Sequence, residues 1–558
     1  MASLEIALMN PELWDIYQPN MYTLVTELRT NGKIAEVRKT QFGVRSYYFD
    51  ADNGFFLNGK NVEIRGVNMH HDLGALGAAV NIRAMERQLE IMKGMGVNAI
   101  RTAHNPPAPE LLDLCDQMGL LVMDEAFDVW TKGKKRNDYH IDFKENHEAD
   151  LRDMILRDRN HPSVFMWSIG NEIPEQFDSL GLSITCELAS IVKSMDTTRP
   201  VTCALTETDP AKNFIYQSGC LDVLGFNYKI FDWKNFKKNF PGQKMLAAEN
   251  MSAYSTRGHY DMPSDSVRYW PRTYTEEIIG PNPDFTVSAY DNVCAYWGAT
   301  HEATLRELYK HNFIAGMFIW SGFDFIGEPV PYEWPAKSSY YGVVDLAGFP
   351  KDIYHLYRSI WTGDTVLHVF PHWNWEEGQL VDIWAFYNHA DEVELFLNNK
   401  SLGAKSKGPE DFHVMWRIPF EPGNLKAISR KDGVLVREQI IRTSDAPARI
   451  ELVADREEIA TGRDLSFITV NILDEAGNLV PDADNEVSFE IEGPGIIAGV
   501  DNGYQASHEP FKASKRKAWK GKCLAIIESG KEEGTITLKT TSDNLKGSEI
   551  EITIKNSL

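Results

Sequence analysis

The sequence contains no apolar run long enough to span a bilayer; the longest, Phe313 to Trp320, has only the length of a buried strand. Basic charge is in short supply. Lys and Arg number 57 against 80 Asp and Glu, and the net charge of −23 argues against a nucleic-acid partner, because phosphate backbones need basic surface. Cysteines are few and scattered. The six (Cys115, Cys186, Cys203, Cys220, Cys294, Cys523) include no CxxC pair and sit mostly in apolar contexts, so buried free thiols are expected rather than disulfides or a zinc site. No glycine-rich phosphate loop follows a strand-like run, which argues against a doubly wound nucleotide-binding sheet. No secretory leader is visible, since Glu5 and Asn10 interrupt the apolar residues after Met1.

A chain of 558 residues is too long for one core and implies roughly three or four domains. The stretch around which the rest is organised is His161 to Glu172, H-P-S-V-F-M-W-S-I-G-N-E. Pro162 ends the preceding helical pattern. Val164 to Ile169 then read as a strand buried on both faces. Asn171 and Glu172 at its end either cap the next helix or stand at the C-terminal mouth of a parallel strand, where barrel enzymes keep their chemistry.

Taken in order, the first fifty residues alternate as strands at Leu4–Leu8, Tyr22–Leu28 and Ala35–Arg45. Three strands cannot close a sandwich, which needs about seven, so residues 1–50 are expected to form a partial Ig-like β-sandwich. Asn58-Gly59 is a hairpin signal. From Val62 strands and helices alternate, with eight strands ending near Asn68, Ala103, Glu125, Glu172, Leu205, Tyr228, Asn250 and Gly322. Amphipathic helices are expected at Ala84–Met95, Pro109–Met118, Ala149–Asp158 and Ile184–Met195. This predicts a (β/α)8 TIM barrel over residues 51–364, flanked by Ig-like β-sandwich domains. Short strands and turns place the two later sandwiches at 365–445 and 446–558.

A second carboxylate, Glu249, closes the seventh strand, K-M-L-A-A-E-N. Strands four and seven face each other across a barrel mouth, so Glu172 and Glu249 can act as a pair. A retaining glycosidase holds its carboxyls about 5 Å apart, and an inverting one leaves about 6.5–9.5 Å for a water. One must be ionised and the other protonated, so their neighbours must push the two pKa values apart. His70, His71, Arg101, His104, Asn105, Asp124, Glu125, Asp128, Tyr228 and Trp320 add polar groups near other strand ends. Arg101 and Glu125 are candidates for a buried ion pair beneath the site, and Trp320 for a flat wall against a sugar ring.

These residues lie within R-G-V-N-M-H-H-D (65–72), G-V-N-A-I-R-T-A-H-N-P-P (96–107), G-L-L-V-M-D-E-A-F-D (119–128), R-D-R-N-H-P-S-V-F-M-W-S-I-G-N-E (157–172) and S-S-Y-Y-G-V-V-D-L-A-G-F-P-K-D (338–352). In that order the stretches resemble glycoside hydrolase family 2, the β-galactosidase, β-glucuronidase and β-mannosidase family. The resemblance implies a retaining mechanism with Glu172 as acid/base and Glu249 as nucleophile. It also implies a sugar subsite lined by His70, His104, Asn171, Tyr228 and Trp320, with Asp128 as a further substrate-binding residue. The Glu-x-His magnesium ligands of the metal-dependent members are replaced by F-D-V-W-T-K, so no metal site and no cofactor are expected. The Asn-x-Lys signature for a sugar carboxylate is replaced by S-S-Y-Y-G, with Lys337 just before it.

The expected activity is retaining exo-hydrolysis of terminal β-linked sugars, β-D-galactosides first, from an oligosaccharide or glycan. β-Glucuronides and β-mannosides are the alternatives within the family, and a carbohydrate-binding protein without activity is the alternative of another class. No nucleic-acid or membrane partner is expected. The unpaired sheet edge of a truncated sandwich invites a homo-oligomer, and the resemblance places the protein in a bacterial periplasm or cytoplasm.

Overall fold

The computed structural model describes residues 5–276 and 282–556. Leu4, expected in the first strand, lies outside them. Ile6 and Leu8, expected in the same strand, are exposed coil. The chain divides into two compact units.

The first unit comprises the residues up to His71 together with Val97–Asn250 and Glu307–Trp320. It begins with an antiparallel hairpin of β1 (Tyr22–Thr30) and β2 (Lys33–Phe42), exposed along nearly its whole length. A small sheet follows, of β3 (Tyr47–Asp50), β4 (Gly54–Leu57) and β5 (Lys60–Asn61), and Asn58-Gly59 makes its second turn with φ of 49° and 78°. Seven barrel strands come next: β6 (Ile64–Met69), β7 (Ala99–Thr102), β8 (Leu121–Glu125), β9 (Val164–Asn171), β10 (Val201–Leu205), β11 (Leu224–Asn227) and β12 (Met245–Asn250). The short β13 (Arg268–Tyr269) and β14 (Val293–Cys294) belong to the second unit, and β15 (Ile314–Ile319) completes the barrel. The eight barrel strands pair in parallel and close on themselves, β15 returning to β6. All but one of their residues are buried, which is why they read as continuous apolar runs rather than alternating ones.

The inside of the barrel is packed tightly. A Cβ on Gly66 of β6 would come within 2.2 Å of the Phe318 ring of β15, so glycine is needed for that aromatic to fit. Around the strand starts, Trp14, Phe49, Phe55 and Leu57 join Ile64, Leu121 and Phe165 in one apolar cluster. Phe55 meets the Phe165 ring edge-on at 5.5 Å, and the Trp14 indole donates to the Asp116 carbonyl at 2.8 Å. That apolar packing at the strand starts leaves the C-terminal strand ends as the polar end of the barrel.

In sequence between the strands lie α1 (Ile82–Met95), α2 (Pro109–Met118), α3 (His140–Asp158) and α4 (Leu180–Met195). Pro109 opens α2 and Gly119 closes it in the left-handed region at φ 71°. Helix α3 starts nine residues before its expected Ala149, because its first turns are polar and bury only Phe143. The cysteine expectation needs correction. Cys186 on α4 and Cys220, just beyond the short helix Phe214–Gln217, form a disulfide. The other four cysteines are free and buried.

The second unit holds α1, the segment 251–306 and everything from Ser321. Asn81 caps α1 by accepting from the Ala84 amide at 3.0 Å. Two β modules follow. In one, sheets of three and four strands enclose Val381, Ile383, Val393, Leu395, Trp416 and Leu425. In the other, nine strands surround Ile468, Val470, Val487, Phe489, Ile527 and Ile536. Among the described residues no helix is long and apolar enough to cross a membrane.

Candidate active site

The site is built on the C-terminal ends of the barrel strands, all within the first unit. At its centre is Arg101 on β7, a guanidinium with no exposed surface. Its Nε and Nη2 grip both oxygens of Glu125 on β8, at 3.0 and 2.9 Å. Nη1 donates to Asn68 Oδ1 at 2.9 Å and to Glu249 Oε2 at 3.0 Å, and Nη2 donates to Asn171 Oδ1 at 2.8 Å. A fork of five N–H donors can serve this many acceptors in one plane; lysine cannot. Burial pushes the Glu125 carboxyl up, but the Arg101 charge and a hydrogen bond from His104 outweigh it and hold the group at about 2. Glu125 is therefore ionised and can only accept. The 2.7 Å contact from His104 Nδ1 to Glu125 Oε1 then assigns the imidazole hydrogen to Nδ1. Nε2 of the same ring lies 3.9 Å from Glu249 Oε2.

The two carboxylates of the expected pair occupy different surroundings. Glu249, at the end of β12, is buried and accepts from Arg101 on one oxygen and from the Tyr228 hydroxyl at 2.6 Å on the other. Glu172 follows the last residue of β9 and is half-buried. Its Oε1 accepts from the Asn227 amide at 3.0 Å. Burial and then the nearby Glu249 charge push the Glu172 carboxyl up, and the Asn227 hydrogen bond, Lys134 and His104 oppose them. The backbone turns where two of these side chains follow their strands: Glu172 has φ 45° and Tyr228 φ 54°, left-handed values that non-glycine residues adopt at a cost of about 1 kcal/mol or more.

Asn171 links the pair. Its Oδ1 accepts from Arg101 and from Asn227 at 3.0 Å, so its Nδ2 must face Asp128 Oδ1, at 3.1 Å. Asp128, expected to touch substrate, accepts on its Oδ1 from Asn171 and from the Lys134 ammonium at 2.7 Å. His70 follows β6, and burial, reinforced by His104 and His71, lowers it to about 3, so its imidazole is neutral. It meets the Trp320 ring edge-on at 5.4 Å. Trp320, expected as a sugar wall, is almost wholly buried and stacks on His104, centroids 5.3 Å apart and planes 9° apart, so one of its faces is already covered.

All eight site residues expected from the sequence thus lie in one hydrogen-bonded and stacked group. Sequence reasoning missed Asn227 and Lys134. Asn227 carried a signal, a polar residue closing the apolar strand L-G-F-N directly before Tyr228; Lys134 sits in a polar loop and carried none. Among the described residues one cluster, away from this group, has metal-ligand composition. Asp113, Asp116 and His161 bring ligand atoms within 4.8 Å of one another. Asp116 there is committed to His161 at 2.7 Å and to the Ser163 amide at 2.9 Å.

Comparison with known proteins identifies the family. The TIM barrel domain of the glycosyl hydrolases family 2 matches residues 51–269, a further domain of that family matches 2–45, and glycoside hydrolase family 2 C-terminal domain 5 matches 450–551. Residues 378–437 match a domain of unknown function. The β-galactosidase BoGH2A of Bacteroides ovatus is 50% identical over 98% of this chain, which spans 68% of that protein. A β-glucuronidase of Bacteroides fragilis is 27% identical over 74% of the chain and 58% of its own length. The crystal structure of a β-glycosidase from Bacteroides vulgatus, 34% identical, superposes with a TM-score of 0.88 over 97% of this chain and 70% of that one. The chain belongs to glycosyl hydrolase family 2 and is a glycoside hydrolase.

Proposed function

We propose that the chain hydrolyses terminal β-D-galactosides of an oligosaccharide or glycan by double displacement, with Glu249 as nucleophile and Glu172 as acid/base. The observation that carries this reading is the difference between the two carboxylates. Glu249 is supported by the Arg101 cation and the Tyr228 hydroxyl. The hydrogen-bond partner of Glu172 is the neutral Asn227 amide, and burial together with Glu249 favours its protonated form. In the first step Glu172 gives its proton to the glycosidic oxygen while the bond from C1 to the leaving group breaks and a Glu249 oxygen bonds to C1. In the second, the Glu172 carboxylate takes a proton from water, whose oxygen attacks C1 and displaces Glu249. His70, His104, Asn171 and Tyr228 are suited to the sugar hydroxyls, and Asn227 to orienting Glu172.

The galactoside preference is supported by the 50% identity to the Bacteroides ovatus β-galactosidase. A glucuronide needs a cation for its carboxylate. Lys337, beside the position where that signature would fall, lays its ammonium 4.5 Å over the Phe511 ring. The test is a panel of nitrophenyl β-galactoside, β-glucuronide, β-mannoside and β-glucoside. Turnover of the galactoside is expected, lost for every substrate in Glu249→Gln. Glu172→Gln keeps the first step on activated aryl glycosides, because a good leaving group needs no proton. Equal loss for all leaving groups in Glu172→Gln, or preferential turnover of another glycoside, overturns the reading.

A further inference from the structure

The acid/base carboxyl sits beside a cation that neither the family motifs nor the sugar subsite accounts for. Lys134 belongs to the loop between β8 and α3. The loop is fixed by Asp138, whose Oδ2 accepts from the backbone amides of Lys134 and Lys135, both at 2.7 Å. Gly133 has no room for a side chain, since a Cβ there would meet His140 Nδ1 at 2.4 Å. From this anchored backbone the Lys134 ammonium reaches two acceptors, Asp128 Oδ1 at 2.7 Å and the carbonyl oxygen of Asn171 at 2.9 Å. That carbonyl belongs to the peptide that joins Asn171 to Glu172. Asp128 also holds the Asn171 side chain, at 3.1 Å. Asn171 is therefore clamped by its backbone and by its side chain from the same loop.

We propose that Lys134 is a positioning residue for the acid/base step: clamped on Asp128 and on the peptide that carries Glu172, it fixes that peptide and keeps its ammonium beside the Glu172 carboxyl. This rests on reading Glu172 as the acid/base.

Four groups face that carboxyl: Glu249 from β12, His104 from the end of β7, Asn227 from β11 and Lys134 from its loop. Glu249 raises the proton affinity of Glu172, as burial does, and the other three lower it. The chemistry needs both protonation states in turn, since Glu172 gives a proton to the leaving oxygen and then takes one from water. In the second step Glu249 is bonded to C1 and no longer charged, so burial is what would hold Glu172 protonated and slow that step. The Lys134 ammonium opposes that effect of burial. Asp128 keeps the ammonium in place and carries a charge opposite to it, so the pair is a clamp whose net influence depends on the ammonium lying nearer to Glu172.

The experiment uses the full chain with Lys134→Gln and Lys134→Arg. For an activated aryl galactoside, whose second step limits turnover, Lys134→Gln should lose about tenfold in kcat with KM falling in step, because kcat/KM reports the first step alone; for a galactoside with a poor leaving group, which needs the proton, the basic limb of kcat/KM should move up by about one pH unit. Lys134→Arg should restore most of both. The Glu172 carboxyl is also followed directly by 13C NMR of Glu-labelled protein, with Glu172→Gln identifying its signal. Its titration midpoint should rise in Lys134→Gln whatever sugar the enzyme takes. An unmoved midpoint overturns the proposal even if the galactosidase reading stands. A raised midpoint with no turnover of any glycoside supports Lys134 and overturns the catalytic reading instead. If Lys134→Gln and Lys134→Arg are equally impaired with an unshifted midpoint, Lys134 merely holds the loop and the proposal fails.

Discussion

The most demanding prediction concerns Arg101. Replacing it by Met removes the cation from a group in which neither Arg101 nor Glu125 has any exposed surface. The Glu125 carboxyl stands at about 2 instead of its ordinary 4.5. At about 1.4 kcal/mol per pH unit, that displacement represents about 3 kcal/mol of stabilisation. Glu249 loses a partner as well, and removing one member of a buried pair costs roughly 3–5 kcal/mol in general. The expected destabilisation is therefore about 3–5 kcal/mol. The pH dependence has a definite sign. A folded-state value below the unfolded one means that the stabilisation is complete above about pH 4.5 and is lost as pH falls toward 2. In Arg101→Met burial acts on Glu125 without its main opponent, so the variant gains by taking up a proton. The gap to the parent protein should thus be widest near neutrality and shrink toward pH 4. A chain of two units need not unfold in one transition, so the assay is hydrogen exchange along a urea series, read on peptides covering β7 to β9. Adding Glu125→Leu to Arg101→Met removes the orphaned charge and should recover part of the loss. A cost below about 1 kcal/mol, or a double variant as unstable as the single one, refutes the reasoning.

Tyr228→Phe deletes a 2.6 Å hydrogen bond to Glu249 without changing the ring. A hydrogen bond to a charged group is worth about 1.5–3 kcal/mol, so kcat/KM for the preferred aryl glycoside should fall about tenfold to a hundredfold; an unchanged value would remove Tyr228 from the nucleophile's support. In denaturant without reductant, alkylation followed by peptide mass spectrometry should label Cys115, Cys203, Cys294 and Cys523 and spare Cys186 and Cys220. Cys186→Ala with Cys220→Ala opens a cross-link between residues 34 apart, for which chain entropy alone gives ~4 kcal/mol of lost stability. Full labelling of all six in the untreated protein would contradict the pairing.

The barrel was legible because a strand buried on both faces leaves a continuous apolar run, as in V-F-M-W-S-I-G-N, and the polar residues that end such runs stand out. The same logic failed wherever burial was partial. The first half of α3 exposes most of its residues and so shows no apolar stripe, and its start was misplaced. The residues around Ile6 alternate like a strand yet have no neighbour to pair with among the described residues, and alternation alone does not make a strand. The disulfide escaped because spacing is informative only for local pairs. Cys186 and Cys220 meet through helix packing across 34 residues, which no spacing rule encodes.

For the site, residue type was legible and connectivity was not. A carboxylate at a strand end announces that it is available for chemistry, but whether it is nucleophile, acid or structural anion depends on what lies 3 Å away. Glu125, Glu172 and Glu249 all close or follow barrel strands; the sequence suggested the Arg101–Glu125 ion pair, but the further contacts of Arg101 to Asn171 and Glu249 were not legible. Arg101 separates them by reach alone. It contacts Glu125 with two donors and Glu249 with one, and its remaining donors go to Asn68, Asn171 and the Ala248 carbonyl. Glu125 becomes an anion that sets the His104 tautomer, Glu249 a carboxyl with one oxygen held by Arg101 and the other by Tyr228, and Glu172 the carboxyl that the guanidinium does not contact. A residue with the same charge but fewer donors would leave these three groups undifferentiated. On the proposed roles, the division of labour between the carboxylates is set less by their own positions than by the geometry of the arginine beneath them, and the side chains that would refine it, Asn227 and Lys134, are those whose sequence context carried the weakest signal.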